Sequence, residues 1–354
     1  MRVVEIRDGF GVASLAVAQR PEPVPKPGQV VLKLRAVSLN YRDLLVVNGV
    51  GRWRPSSLPR VPLSDGVGVV VAVGPGVSRA KVGDRVAPIF YPRWLDGPVA
   101  PEKMGSPLGG AAADGVLAEY VLVDADAVVH VPDSLSDVEA ATLPCAAVTA
   151  WNAVVCQGRI APGDVVVTLG TGGVSLFALQ FACLLGARVI VTSSSDDKLS
   201  RACRLGAAEG VNYKTTNWPA AIRELAGGRG ADHVVDTVGA LDDAIAAVRV
   251  GGSVAFVGLL TGMSTPVDLV ALMGKSARVQ AVDVGSREMF EDMNQAIALH
   301  RLQPVVDQVF GFTEAAGALD YLTRSAHFGK VCLELCASGE TLEPPEFEHS
   351  RQPK

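Results

Sequence analysis

The chain has few cysteines and no pattern among them. Six occur in 354 residues, at positions 145, 156, 183, 203, 332 and 336, with no CxxC pair and no dense spacing. That excludes a disulfide-stapled scaffold and points to reduced thiols in a cytoplasmic protein. Basic residues are not in excess either: 32 Lys and Arg stand against 37 Asp and Glu, for a net charge of −5. A nucleic-acid binder would carry a basic stripe and a peripheral membrane protein a polybasic segment, so neither nucleic acid nor membrane is an expected partner. Long apolar runs are also missing. The most apolar stretch, 165–192, is cut by a glycine cluster, by Gln180 and by Gly186 with Arg188, short of the ~20 uninterrupted residues of a membrane span. Residues 1–10 alternate charge with Val and Ile and lack the basic-then-apolar order of a secretory signal.

What the chain does have is apolar content, 49% against 19% charged, over a length beyond that of one hydrophobic core. Two domains are therefore expected. Up to about residue 130, short Val-rich runs (30–34, 67–73, 117–123) are separated by Pro and Gly clusters such as Pro21-Glu-Pro-Val-Pro-Lys-Pro-Gly28, the pattern of a mostly antiparallel β domain. From Asp164 apolar strand candidates alternate with helix-length spacers. The strands fall at 165–169, 188–192, 210–213, 233–237, 253–257 and 279–284. Six strands with crossover helices predict a parallel, doubly wound α/β sheet covered on both faces. A helix (288–300), an extended piece (305–310), a second helix (314–323) and a strand (330–335) follow, and the Glu-, Pro- and Ser-rich residues 336–354 are expected to be a disordered tail.

Directly after the first of those strands comes Gly170-Thr-Gly-Gly-Val-Ser175, followed by a helix-compatible run. Strand, glycine turn and helix put unpaired backbone N–H groups and the positive end of a helix dipole at one spot, which suits a pyrophosphate. Gly170 permits the tight turn, Gly172 allows close backbone approach, and Gly173 and Val174 complete the cradle. The sixth position is Ser175, where Gly or Ala is usual. At the end of the second strand, an acid would accept bonds from a ribose 2′-hydroxyl in an NAD-binding fold. Here stand Ser193, Ser194 and Ser195, with Lys198, Arg201 and Arg204 behind them. Room for a 2′-phosphate and a nearby cation favour NADPH over NADH. Ser194 or Ser195 also suits the cap of the following helix.

The chain resembles the medium-chain dehydrogenase/reductase superfamily, and within it the zinc-free quinone oxidoreductase and enoyl reductase branch. The resemblance rests on Ser38-Leu-Asn-Tyr-Arg-Asp43, Pro62-Leu-Ser-Asp-Gly-Val-Gly-Val-Val70, Val82-Gly-Asp-Arg-Val86, Leu143-Pro-Cys-Ala-Ala-Val-Thr-Ala150, the glycine turn and Gly329-Lys-Val-Cys-Leu333, taken in order. It implies a GroES-like β domain over 1–144, a Rossmann domain with a six-stranded parallel sheet over 145–285, and a return to the first domain over 286–335, with the active cleft between. It further implies that Lys198, Tyr213 and Arg324 meet the adenosine 2′-phosphate, that Val257, Gly258, Val284 and Gly285 meet the nicotinamide end, and that Thr149 is a cofactor-binding residue.

Zinc-dependent relatives place Cys, His-Glu and Cys where this chain has Asn40, Ser64-Asp65 and Cys145, and a structural-zinc lobe where 93–115 contains no cysteine. A lone thiolate is a poor tetrahedral site, so no zinc is expected and Cys145 reads as a buried small residue. Without a metal to polarise a carbonyl, hydride addition to an activated C=C bond or a quinone fits best, with neutral donors holding the developing enolate oxygen. By resemblance those donors are Asn40, Tyr41 and Ser64. Tyr41 is a candidate acid, with solvent or a cofactor hydroxyl as the alternatives, and Phe90 and Tyr91 line the substrate cleft. Two other readings stay open: an alcohol dehydrogenase or carbonyl reductase working without zinc, and a non-catalytic NADPH-binding structural protein. The strand 253–257 with 258–265 resembles the edge through which family members pair, so a homodimer is expected.

Overall fold

The alternation after residue 164 does form one parallel sheet in the computed structural model, which describes residues 1–335. The expected tail, 336–354, lies outside the described residues. The sheet runs Glu209–Asn212, Arg188–Ser193, Val165–Leu169, Ala231–Asp236, Val248–Phe256, Arg278–Ala281 from edge to edge. In chain order that is third, second, first, fourth, fifth, sixth, so the winding reverses between the first and fourth strands, where such sheets leave a ligand crevice. All five residues of Val165–Leu169 and all six of Ala231–Asp236 are buried, as central strands covered on both faces must be. The last strand is shorter than its apolar run suggests, because the chain leaves the sheet after Ala281 toward the cleft. Strand Val248–Phe256 is not an edge: it lies between Ala231–Asp236 and Arg278–Ala281. The edge on that side of the sheet is Arg278–Ala281, which corrects the expectation placed on 253–257.

The first domain is built on Gln29–Leu39, eleven residues that pair along one side with Asp65–Val73. On the other side Tyr120–Asp124 takes the first half and Lys330–Glu334 the second. Val306–Gly311 adds in parallel beyond Lys330–Glu334. The chain thus returns to its first sheet, with Leu39 opposite Val331. Asn40 and Lys330, 290 residues apart, come together.

One buried apolar cluster fills the first domain and another backs the parallel sheet. A third runs between the two sheets without a break, joining Ile89, Phe90 and Leu143 to Leu176, Phe177 and Phe290. Polar ties cross the same seam: Tyr91 Oη donates to Asp283 Oδ2 at 2.7 Å and Asn294 Nδ2 to the His130 carbonyl at 2.9 Å. Residues 143–157 enter the seam as one irregular helix, α over Val148–Trp151 and π-helical over Leu143–Ala147 and Asn152–Gln157. Nothing in the apolar spacing announces those wide turns, which recur at functional sites. No helix among the described residues is long and apolar enough to cross a membrane.

Candidate active site and cofactor groove

Gly170 has φ +81°, a conformation that favours glycine. Gly172 precedes the helix Gly173–Leu184 with no side-chain cap, and a Cβ added to it would meet nothing within 4 Å. The first turn therefore opens onto a free surface over Gly172 with no side chain capping its N–H groups. Gly173 is small for another reason: a Cβ there would lie 2.5 Å from Lys330 Cδ and 3.3 Å from Ala146 Cβ. Ser175, the odd sixth position, is buried and donates to the Leu169 carbonyl at 2.8 Å, tying turn to strand. Val174 is partly exposed beside it.

At the second strand's end, Tyr213 N donates to the Ser193 carbonyl at 3.1 Å, and Ser193 Oγ accepts from Ser195 N at 3.3 Å. Ser195 caps the helix Asp196–Arg204; Ser194 is partly exposed and Tyr213 is 48% exposed. Lys198 Nζ donates to the carbonyls of Ser325 at 3.0 Å and His327 at 2.9 Å. The loop holding exposed Arg324 is thereby fastened to the serine cluster, so residues from three distant segments meet at one rim. Burial lowers the Lys198 pKa, with Asp307 opposing.

The opposite end of the groove is explained first by packing. Val257 N and Gly258 N both donate to the Asp236 carbonyl, at 2.8 and 3.1 Å, and a Cβ on Gly258 would fall 1.6 Å from the Thr237 carbonyl oxygen. A Cβ on Gly285 would lie 2.5 Å from Val148 Cγ1. Val284 accepts from Asn152 Nδ2 at 2.8 Å, and Thr149 Oγ1 donates to the Cys145 carbonyl at 2.7 Å. These contacts bring the strand ends and the irregular helix against each other.

Between the domains lies a buried polar cluster. Asn40 N donates to Asp43 Oδ2 at 2.7 Å, fixing the start of the helix Tyr41–Val47. Asp43 Oδ1 also takes Arg42 Nη1 at 3.1 Å. Asp65 accepts from Ser64 Oγ at 2.7 Å and from Cys145 N at 3.1 Å. Lys330, 3% exposed, donates from Nζ to the Leu39 carbonyl at 2.5 Å and to Asn40 Oδ1 at 2.6 Å. Burial pushes the Asp43 carboxyl up to about 6, against the Arg42 charge. Burial also raises Asp65, opposed by Lys330 and by the Ser64 hydrogen bond. The Cys145 thiol is pushed well up by burial and by Asp65.

Against the expectations, Asn40 is buried at the heart of the cluster and Tyr41 sits at its mouth, 42% exposed. Ser64 is placed differently from a substrate donor: it is fully buried and gives its proton to Asp65, so it orients that carboxylate instead. Cys145 is half-buried as a residue, packed against the interdomain core, and its thiol lies among the buried polar groups. Phe90 and Tyr91 are 5% and 8% exposed and pack edge to face within the interdomain core, with the Arg42 guanidinium over the Phe90 ring at 5.2 Å. Lys330 and Arg42 were missed as site residues. Lys330 stood in a quoted motif, but only the returning strand shows that it reaches Asn40.

These donors do not suit a zinc ion. The amide oxygen of Asn40 is taken by an ammonium, the Ser64 hydroxyl by a carboxylate, and the thiol of Cys145 is held protonated. Among the described residues no group of three or more His, Cys, Asp or Glu is arranged to hold a metal.

Comparison with known proteins matches residues 26–133 to the alcohol dehydrogenase GroES-like domain and 173–299 to a zinc-binding dehydrogenase domain. A zinc-type alcohol dehydrogenase-like protein of Schizosaccharomyces pombe is 42% identical over 318 residues, 87% of this chain and 91% of its own. A 2-methylene-furan-3-one reductase of Solanum lycopersicum is 32% identical over 314 residues, 88% of this chain and 73% of its own. Among solved structures, an NAD-dependent alcohol dehydrogenase superposes with a TM-score of 0.87 at 36% identity, covering 95% of this chain and 100% of its own. A mycobacterial protein complexed with NADPH superposes with a TM-score of 0.79 at 28% identity, covering 95% and 100%.

Proposed function

Because the chain belongs to the medium-chain dehydrogenase/reductase superfamily and is an oxidoreductase of that kind, we propose that it is an NADPH-dependent reductase of activated C=C bonds and quinones that works without zinc. The observation that carries this reading is Lys330: a buried cation is bonded to Asn40 where zinc-dependent relatives have a metal ligand. Two positive charges competing for one oxygen would repel, whereas an ammonium and a neutral amide form a stable donor array.

When bound, NADPH supplies a hydride for the electrophilic carbon. The protein's part is to hold the cofactor at the glycine turn, to keep the 2′-phosphate near Lys198 and the serines, and to receive the substrate oxygen at Asn40. Negative charge developing on that oxygen is stabilised by an N–H donor in a site of low dielectric. Tyr41, at the mouth, or solvent beside it delivers the proton. The likeness to a 2-methylene-furan-3-one reductase and to an NADPH complex supports this reading.

An alcohol dehydrogenase or carbonyl reductase is the second reading, favoured by the likeness to the NAD-dependent alcohol dehydrogenase. Oxidation of NADPH and NADH by metal-free enzyme, against a quinone, an enone and a saturated aldehyde with and without zinc, separates the two. Zinc-independent turnover of the first two with NADPH is expected. Activity confined to the aldehyde, or dependent on zinc, refutes the proposal.

A homodimer is part of the same proposal. Leu269, Val270 and Met273 are 65, 81 and 77% exposed on the helix Leu269–Gly274, close in sequence to the edge strand Arg278–Ala281. Exposed apolar groups and a sheet edge suit burial against a second copy. Free cysteines among the described residues fit a cytoplasmic setting.

A further inference from the structure

Lys330 does more than displace a metal. A lysine ammonium is a donor only, so the Asn40 carboxamide must present its oxygen to it, and the orientation of that amide is settled by chemistry. The NH2 group then points the other way. One of its two N–H groups is turned toward the Asp65 carboxylate and eases that charge, but the contact is not a well-formed hydrogen bond and Nδ2 is buried, with a second N–H left over. A buried donor left unpaired is costly and calls for an acceptor.

The other end of Lys330 is fixed as firmly. Gly329 N donates to the Thr171 carbonyl at 3.0 Å, Gly172 and Gly329 form a parallel bridge, and the Lys330 stem fills the space that a side chain at Gly173 would need. One residue therefore spans from the phosphate-binding turn of one domain to the candidate oxygen-binding amide of the other.

We propose that Lys330 is a positioning residue: it grips Asn40 by its amide oxygen so that Nδ2 is the group met by the reacting oxygen of the substrate, and its stem ties that setting to the glycine turn. The inference rests on the reductase reading above for what the substrate oxygen is, but not for the Lys330 to Asn40 coupling itself.

The variants K330M, K330R, N40A, N40D and the double variant K330M/N40A of the full chain test it. Readouts are NADPH dissociation constants from fluorescence, and kcat and KM for 2-cyclohexen-1-one and menadione. K330M and N40A should each lower kcat by about 100- to 1,000-fold while NADPH affinity changes by less than about threefold. The double variant should be no slower than the worse single one, because both remove the same oriented donor. N40D is decisive, since it keeps an oxygen for Lys330 but has no N–H. It should lose kcat as N40A does, and K330R should retain more activity than K330M. Near wild-type kcat in N40D, multiplicative losses in the double variant, or a parallel loss of NADPH affinity in K330M would overturn the proposal. If K330M does not fold, N40A against N40D and K330R still decide it. If the wild type reduces neither acceptor, the reductase reading falls, and the coupling is read from melting temperatures of the same cycle, where additive effects would refute it.

Discussion

Replacing Lys198 with alanine separates a cofactor-binding role from a structural one. The ammonium carries three donors. Two are spent on the Ser325 and His327 carbonyls, at 3.0 and 2.9 Å, which leaves one N–H and the full charge for a 2′-phosphate near Ser193 and Ser194. A charge-assisted bond of this kind contributes ~1.5–3 kcal/mol, and partial exposure of Lys198 puts this case near the lower end. About 1.5–2 kcal/mol is roughly 10- to 30-fold in the NADPH dissociation constant. NADH has no 2′-phosphate, so its affinity should move by less than about threefold. Fluorescence titration of both cofactors measures this directly, and the difference should shrink at high salt as the exposed part of the charge is screened. Equal losses for NADH and NADPH would refute the argument and make Lys198 a strap for the 325–327 loop. No loss for either would leave the phosphate to Tyr213 and Arg324.

Introducing the missing acid with S194D should weaken NADPH by at least about tenfold and strengthen NADH, because a carboxylate repels the phosphate and accepts from a ribose hydroxyl; unchanged preference in titrations would place the ribose elsewhere. G173A puts a methyl group against the Lys330 stem, 2.5 Å from Cδ before relaxation, and should lower kcat more than it lowers NADPH affinity, a split that steady-state kinetics with parallel binding measurements will reveal or deny. His233, bonded to Ser253 Oγ at 2.7 Å, has its pKa lowered from 6.5 to about 4 by burial, so the unfolded chain takes a proton that the native one refuses. Its stabilising share, of order 3 kcal/mol from the shift, is present above pH 6.5 and lost as pH falls toward 4, and H233Q should flatten that limb of the denaturation profile. Asp43, raised from 3.8 to about 6, acts with the opposite sign: stability held below pH 3.8 is lost as pH rises through 6, which D43N should abolish in the same chemical-denaturation series. V270D/M273D should convert a dimer to a monomer in sedimentation velocity, whereas an unchanged species would move the interface off this helix.

Where the chain's signals are periodic and local, they were legible without a structure. Six strands, their crossovers and the glycine turn at 170–175 are visible because burial on both faces demands unbroken apolar runs and a phosphate cradle demands small residues in sequence. The serine cluster at 193–195 and the absence of an acid there are equally local. The edge of the sheet was misread, because an apolar strand such as Val248–Phe256 looks the same whether its neighbour is protein or solvent. The π turns of 143–157 were invisible, since apolar content alone does not distinguish one helical pitch from another.

The amino-acid sequence by itself determined the two-domain α/β architecture, the cofactor turn and the type of residue offered at the reaction centre. Only the tertiary structure decided how those residues are used. The return of Lys330–Glu334 to pair with Gln29–Leu39 sets a lysine against an asparagine 290 positions away. That contact fixes the Asn40 amide by its oxygen and sets a buried ammonium near the Asp65 carboxylate. Long-range strand pairing produced it, and pairing partners are chosen by packing in three dimensions, which no local pattern records.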